Sequence, residues 1–139
     1  MSAQIIRGHV GIGDPVEGIA LTAKDNFSAR YDLDRIKGIF SRPSHALVNQ
    51  SYVNKILVLD AAKGGVATAW MLYEMAAREM APLALLLNFA NPIMAQGAAF
   101  ARVPLIDRFE SDITDWVKSG ERIRISPADG TVEKLAERD

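Results

Sequence analysis

The clearest pattern in the chain is a pair of apolar runs separated by a segment with helical spacing. Residues 55–59 and 83–87 are short and almost wholly apolar, which is typical of strands buried on both faces of a parallel sheet. Between them, residues 66–79 carry Trp70 and Tyr73 on one stripe of a predicted helix. Strand, helix and strand in this order predict a parallel βαβ unit at the centre of an α/β domain.

Shorter elements follow this unit. Asn91 and Pro92 fit the N-cap and the first position of a helix that ends near Ala101. Residues 103–106 predict a third short strand. Asp112 is a candidate N-cap for a further helix that reaches about residue 119.

Both ends of the chain are predicted to be β. Residues 5–10 and 17–23 form two short strands that we expect to pair as a hairpin across a turn with glycine and proline. Near the C-terminus, "RIRIS" and "TVEKL" alternate as two strands around a tight turn. Residues 24–54 mix polar and apolar positions and predict a long excursion, which is usually functional in a domain of this size.

Composition adds a limit on size and on partners. With 139 residues, of which 49% are hydrophobic and 24% charged, the chain is predicted to be one domain, residues 1–139, with a substantial core. Sixteen basic residues oppose seventeen acidic ones, so no net field draws in nucleic acid or an anionic membrane. We therefore expect neither as a partner.

The absence of cysteine limits the chemistry further. It excludes disulfides and thiolate metal ligands from this chain, and no metal site is predicted here. The first residues lack the pattern of a signal peptide, and the longest apolar stretch, residues 80–90, is about half of the roughly 20 residues a membrane helix needs. The sequence predicts a cytoplasmic protein.

The loop Lys63-Gly64-Gly65 is the strongest local signal for a ligand. It joins a buried strand to a helix, where unpaired backbone N–H groups are a common anion site. The order of residues excludes a Walker loop, which has glycine before lysine and serine or threonine after it. The alternative is that Gly64 and Gly65 only permit a tight turn and that Lys63 is solvated.

Other polar residues lie near predicted strand ends. Thr68, in the first turn of the helix, either faces a ligand or bonds to the main chain. Arg42 and His45 stand in a polar group before the first buried strand, and Asn91 lies where α/β sheets place ligands. A histidine pair with His9 is a metal candidate, but ordinary surface or core histidines are favoured.

Carboxylates that cluster after the third strand, with two arginines nearby, are interpreted mainly as helix caps and solvated charges rather than as a site. These are Arg102, Asp107, Arg108, Glu110, Asp112 and Asp115.

The order of these motifs resembles the small, or swivel, domain of aconitase X. The resemblance runs through "HALVNQSYVNKILVL", "KGGVATAWMLYEM" and "APLALLLNFANPIMAQGAAFARVPLID" and covers most of residues 5–135. It implies an aconitase-like, swivelling β/β/α fold with a central βαβ unit and β-rich ends. It also implies a hydro-lyase, or dehydratase, in which this domain closes over a large subunit.

In that family the reaction is the dehydration of a small hydroxy acid, such as cis-3-hydroxyproline or mevalonate 5-phosphate. The large subunit is expected to hold the iron–sulfur cluster and to make most substrate contacts. This chain is then one half of a heterodimer, inactive alone. It supplies an anion-holding loop of Lys63, Gly64 and Gly65, with Arg42, His45 and Asn91 as further candidates for substrate binding.

The loop departs from the family pattern at the catalytic position. The family usually has Gly-x-Gly-Ser-Ser, where one serine removes the proton, whereas Gly65 and Val66 stand at those positions here. Thr68 is the candidate replacement, and its hydroxyl would need a lowered pKa next to N–H groups and Lys63. The alternatives are a base from the large subunit, a non-catalytic swivel module that binds a ligand or partner, and a self-contained binding domain.

Overall fold

A mixed sheet organises the protein. The computed structural model describes residues 4–28, 32–62 and 66–135. Within these ranges the order along the sheet is β1, β9, β8, β2, β5, β6, β7. The elements are β1 (Gln4–Arg7), β2 (Val16–Thr22), β3 (Leu33–Asp34), β4 (Ile39–Phe40), β5 (Ile56–Ala61), α1 (Val66–Ala77), β6 (Ala84–Phe89), α2 (Pro92–Ala101), β7 (Leu105–Asp107), α3 (Ile113–Trp116), β8 (Arg122–Ser126) and β9 (Thr131–Lys134).

One half of the sheet is parallel. β2 pairs with β5, β5 with β6 and β6 with β7, all in parallel. Helix α1 connects β5 to β6, so the predicted βαβ unit is confirmed. β5 and β6 are buried on both faces for most of their length, which explains their continuous apolar sequence.

The other half is antiparallel and corrects one prediction. β8 and β9 form the predicted hairpin around the turn at residues 127–130. The expected hairpin between the two N-terminal strands is wrong, because β1 pairs with β9 and β2 pairs with β8. The C-terminal hairpin therefore lies between β1 and β2, an arrangement that local turn signals do not reveal.

The segment after β1 brings the two edges of the sheet together. The backbone N–H of His9 donates to the carbonyl of Asp107 (3.0 Å), and that of Ile12 donates to Leu105 (2.8 Å). On its other side, the N–H of Gly8 donates to the carbonyl of Gly130 (2.7 Å). These bonds link β7 to the β8–β9 turn, so the β7 edge acquires a partner and the sheet curves around a core.

Two apolar cores separate three layers. The first lies between the antiparallel and parallel halves and includes Ile123, Val132, Val58 and Leu86. The second lies between the opposite face of the parallel strands and the helices, and Leu72 belongs to it. Antiparallel strands, parallel strands and helices thus form successive layers, which confirms the predicted β/β/α fold class.

The two long helices pack side by side, each with one face buried. α1 buries Thr68, Leu72 and Met75, whereas the stripe with Trp70 and Tyr73 points outward. α2 approaches α1 through Gly97, where an added Cβ would lie 2.6 Å from the Cβ of Ala69. The absent side chain therefore permits this close contact.

Candidate active site

The candidate site lies at the end of the sheet where the carboxyl ends of the four parallel strands meet, which we call the carboxyl edge. Because β2, β5, β6 and β7 run in one direction, the residues that follow them collect at a single edge of the sheet. Parallel α/β sheets bind ligands outside the carboxyl ends of their strands. Lys24, Ala62, Asn91 and Arg108 follow the four strands there.

The predicted anion loop lies outside the described residues. Lys63, Gly64 and Gly65 connect the end of β5 to Val66, the first residue of α1, and their role stays a prediction. Thr68 is only 2% exposed and belongs to the buried face of α1. A hydroxyl in that position does not meet solvent in this chain, so its role as a base also stays a prediction.

Asn91 caps α2 as the sequence predicts. Its backbone is extended, with φ −73° and ψ 161°, and its Oδ1 accepts a hydrogen bond from the N–H of Met94 at 2.8 Å. Pro92 occupies the first turn, where its missing N–H costs nothing. The cap fixes the start of α2 at the candidate edge, and a contact of Asn91 with substrate stays a prediction.

Arg42 donates hydrogen bonds to neighbouring side chains within residues 24–54. Its Nε donates to Asp32 Oδ1 at 2.6 Å, one terminal nitrogen donates to Ser44 Oγ at 2.6 Å, and the other donates to Asp25 Oδ1 at 3.2 Å. The hydrogen bond to Asp32 raises the pKa of Arg42. These contacts give Arg42 a structural role, because they join three parts of the chain, and substrate binding by Arg42 stays a prediction.

Asp25 anchors the same network. Burial opposes its ionisation, but hydrogen bonds from the backbone N–H groups of Asn26 and Ala46, with the nearby Arg42 charge, lower its pKa overall. The backbone carbonyl of Asp25 accepts the N–H of Asp60 at 2.8 Å, so the network is attached to the end of β5.

His45 is a buried part of this structure. Its ring stacks on Phe40 with the centroids 4.5 Å apart, and its Nδ1 accepts the N–H of Leu47 at 3.0 Å. Nε2 therefore carries the proton, which it donates to the carbonyl of Asn26 at 2.8 Å. Both nitrogens are engaged, so a contact between His45 and substrate stays a prediction with no support from this geometry.

A second hydrogen-bond network at the carboxyl edge centres on Asn88 and Asp112. The side-chain amide of Asn88 donates to Asp60 Oδ1 at 3.0 Å and to Asp112 Oδ1 at 2.9 Å. Asp112 caps α3 and also accepts the hydroxyl of Thr114 at 2.6 Å. The hydrogen bonds from Thr114 and Asn88 hold the pKa of Asp112 well below its usual value. The capping interpretation of Asp112 is thereby confirmed.

Arg108 is a feature that sequence reasoning treated as a solvated charge. Its guanidinium lies over the ring of Phe89, with Cζ 5.1 Å from the centroid, and its Nε is 3.6 Å from Asp107 Oδ2. Asp107 is itself fixed, because the same Oδ2 accepts the N–H of Ala90 at 2.9 Å. A position directly after a parallel strand was the sequence signal that could have identified Arg108.

An apolar groove runs between α1 and α2. Its volume is about 450 Å³, and Trp70, Tyr73 and Phe100 are 60%, 44% and 74% exposed. Val66 and Ile93, near the first turns of the two helices, place one end of the groove at the candidate edge. Exposed aromatic side chains in one groove are typical of an interaction surface.

The described residues offer no ready metal site. The chain has no cysteine, and no group of three or more histidine, aspartate or glutamate side chains in the described part is arranged to hold a metal ion. In the same ranges, no helix is both long enough and apolar enough to cross a membrane.

Fold and site together define a three-layered α/β domain that gathers polar groups and helix starts at one edge of a parallel sheet. The sequence model of the aconitase X swivel domain matches residues 5–134, and the chain belongs to this family. The resemblance inferred from the sequence is thus confirmed.

Named relatives agree with this assignment. The chain is 30% identical to the phosphomevalonate dehydratase small subunit of Methanosarcina mazei, over 86% of this chain and 83% of that protein. It is 34% identical to the protein of the same name from Pyrococcus horikoshii, over 91% and 93%. The crystal structure of Thermococcus kodakaraensis aconitase X in its holo-form matches with a TM-score of 0.88 at 26% identity, covering 96% of this chain and 99% of that chain.

The Asp112 network predicts a pH-dependent contribution to stability. At pH 7, Asp112→Ala should lower the free energy of unfolding by about 0.5–2 kcal/mol, the usual cost of losing an N-cap. Because the pKa of Asp112 is lowered in the folded state, the carboxylate stabilises the fold above its unfolded pKa of about 3.9 and loses this effect at lower pH. Urea unfolding at pH 7 and at pH 2.5 measures the difference.

The matched control is Asp14→Ala, which removes an exposed carboxylate from the loop after β1. The difference in free energy of unfolding between wild type and Asp112→Ala should be smaller at the lower pH. The control should stay within about 0.5 kcal/mol of wild type at both pH values. An equal gap at both pH values would contradict the assigned network.

Proposed function

We propose that this chain is the small subunit of a heteromeric aconitase X-type hydro-lyase that dehydrates a small hydroxy acid. The observation that carries the proposal is family membership over residues 5–134, together with relatives named as dehydratase small subunits that match along most of their length. In this proposal the chain is inactive alone. A larger subunit completes the active site at the carboxyl edge of the parallel strands.

The proposed contribution of this chain is an anion-holding turn. Lys63 supplies charge, and Gly64 and Gly65 let the backbone approach a substrate carboxylate closely. The start of α1 adds the equivalent of about half a positive charge. The position of the loop between the end of β5 and Val66 supports this role, because that is the edge where parallel sheets bind ligands.

The iron–sulfur cluster implied by the family does not fit this chain. Clusters of this type are held by cysteine thiolates, and the sequence contains none. We therefore assign the cluster to the larger subunit.

We further propose that the larger subunit covers the groove between α1 and α2. The groove begins at Val66 and Ile93, beside the edge that the larger subunit must reach to complete the site. The ring of Tyr73 contacts those of Trp70 and Phe100 edge to face, and all three side chains remain exposed. Burial of such aromatic side chains is typical of residues that dominate binding energy.

A second candidate function is a swivel module that binds its partner or a ligand without turnover. The observation in its favour is that Gly65 and Val66 replace the serines of the family while Thr68 is buried. Within an active complex, Thr68→Val distinguishes a base on Thr68 from a base on the larger subunit, because the substitution keeps the side-chain volume and removes the hydroxyl. Loss of turnover in an intact complex would assign the base to Thr68, whereas unchanged turnover would place the base on the larger subunit.

The main test is turnover by the coexpressed complex. We expect dehydration of a hydroxy acid, with cis-3-hydroxyproline and mevalonate 5-phosphate in the substrate panel, by the two subunits together and by neither alone. Lys63→Ala should lower kcat/KM about tenfold or more, as expected when a charged hydrogen bond is lost. Lys37→Ala, which removes an exposed lysine from the turn between β3 and β4, is the control. A stable complex without turnover would support the second candidate, and the absence of any complex would overturn the proposal that this chain is a subunit.

The groove gives a separate test of assembly. Trp70→Ser with Phe100→Ser should weaken the complex about tenfold or more, because two exposed aromatic anchors are lost. Ile36→Ser is the matched control, since Ile36 is 82% exposed in the turn between β3 and β4. Calorimetric titration of the larger subunit gives the dissociation constants. An unchanged Kd, or a change only in self-association of this chain, would contradict the assignment of the groove.

A further inference from the structure

We propose that Arg108 is an anion-binding residue of this chain and contacts a carboxylate or phosphate group of the substrate. This inference rests on the proposed function and deepens it. The sequence pointed instead to Arg42, but the basic side chains at the carboxyl edge differ in how far other residues already use their donors.

Two of the basic residues at this edge are committed to carboxylates of the chain itself. Lys24 lies 2.6 Å from Asp115 Oδ1 and 3.4 Å from Asp112 Oδ2. All three guanidinium nitrogens of Arg42 donate to neighbouring side chains. These carboxylates offset much of the charge that Lys24 and Arg42 would otherwise offer to an incoming anion.

Arg108 keeps its binding capacity. Within the described residues its one ion pair is made by Nε, 3.6 Å from Asp107 Oδ2, which leaves the two terminal nitrogens for another partner. The side chain is 49% exposed, so these nitrogens are accessible. A planar guanidinium with free nitrogens is suited to the oxygens of a carboxylate or a phosphate.

The surroundings also hold the guanidinium in place. Its Cζ lies 5.1 Å from the centre of the Phe89 ring, an arrangement that restricts the side chain and adds a favourable cation–π contact. The backbone N–H of Arg108 donates to the carbonyl of Asn88 at 3.0 Å, and its φ of 56° lies in the left-handed region. A side chain restrained before binding loses less conformational entropy when it meets a ligand.

The position of Phe89 connects Arg108 with the proposed anion loop. Phe89 is in register with Ala61, and the N–H of Ala62 donates to the carbonyl of Phe89 at 3.4 Å. Arg108 therefore stands beside the strand end that leads into residues 63–65.

The test compares Arg108→Gln with Arg124→Gln in the coexpressed complex. Arg124 is 50% exposed, close to the value for Arg108, and lies on β8 in the antiparallel half. Arg108→Gln should raise KM about tenfold or more while kcat stays within about threefold, because a charged hydrogen bond to substrate is lost. Arg108→Lys should fall between Gln and wild type, since it keeps the charge but not the planar fork.

Comparing a phosphorylated hydroxy acid with its unphosphorylated form identifies the group that is bound. A KM effect of Arg108→Gln on the phosphorylated acid alone assigns Arg108 to the phosphate, and an effect on both assigns it to the carboxylate. Unchanged KM values in an active complex, or an equal rise for Arg124→Gln, would overturn the inference and leave the proposed function intact.

A direct measurement covers the case in which the wild-type complex shows no turnover. The Nε–H resonance of Arg108 is followed by NMR while inorganic phosphate is added at constant ionic strength. A saturable shift of this resonance that Arg124 does not share supports an anion site even though the proposed function has failed. No saturable shift would overturn the inference as well.

Discussion

The common direction of four strands is the constraint on which the site depends. Because β2, β5, β6 and β7 are parallel, one edge receives the residues after every strand, and the starts of α1 and α2 lie at the same edge. The apolar side chains of the antiparallel half fill the core that supports the parallel strands. The parallel half thus carries the candidate site, and the antiparallel half packs against it.

The central elements were predictable because their signals are local. Continuous apolar runs identified β5 and β6, and Asn91 with Pro92 identified the start of α2. The pairing of β1 with β9 was not predictable from local turn signals, because the strands are separated by most of the chain. Which face of α1 is exposed was not predicted from the sequence, since Trp70 and Tyr73 are apolar residues whose exposure only the packed structure reveals.

The location of the candidate site was predictable from the sequence, but the contacts of its side chains were not. Reasoning from strand ends pointed to the same edge that the structure makes the candidate site, and Asp112 and Asn91 were identified as caps. Residue type alone could not distinguish Arg42 from Arg108, because their difference lies in which neighbours reach them. Three donated hydrogen bonds occupy Arg42, whereas Arg108 rests on Phe89 with its terminal nitrogens directed to no described side chain.

The central claim is that the carboxyl edge and the adjoining helix groove meet a larger subunit. Hydrogen exchange of this chain, free and in the coexpressed complex, tests that claim most directly. The account predicts slower exchange in residues 66–73, 88–95 and 107–112 on assembly, with the β8–β9 hairpin unchanged. Protection confined to that hairpin, with none at the carboxyl edge, would contradict it.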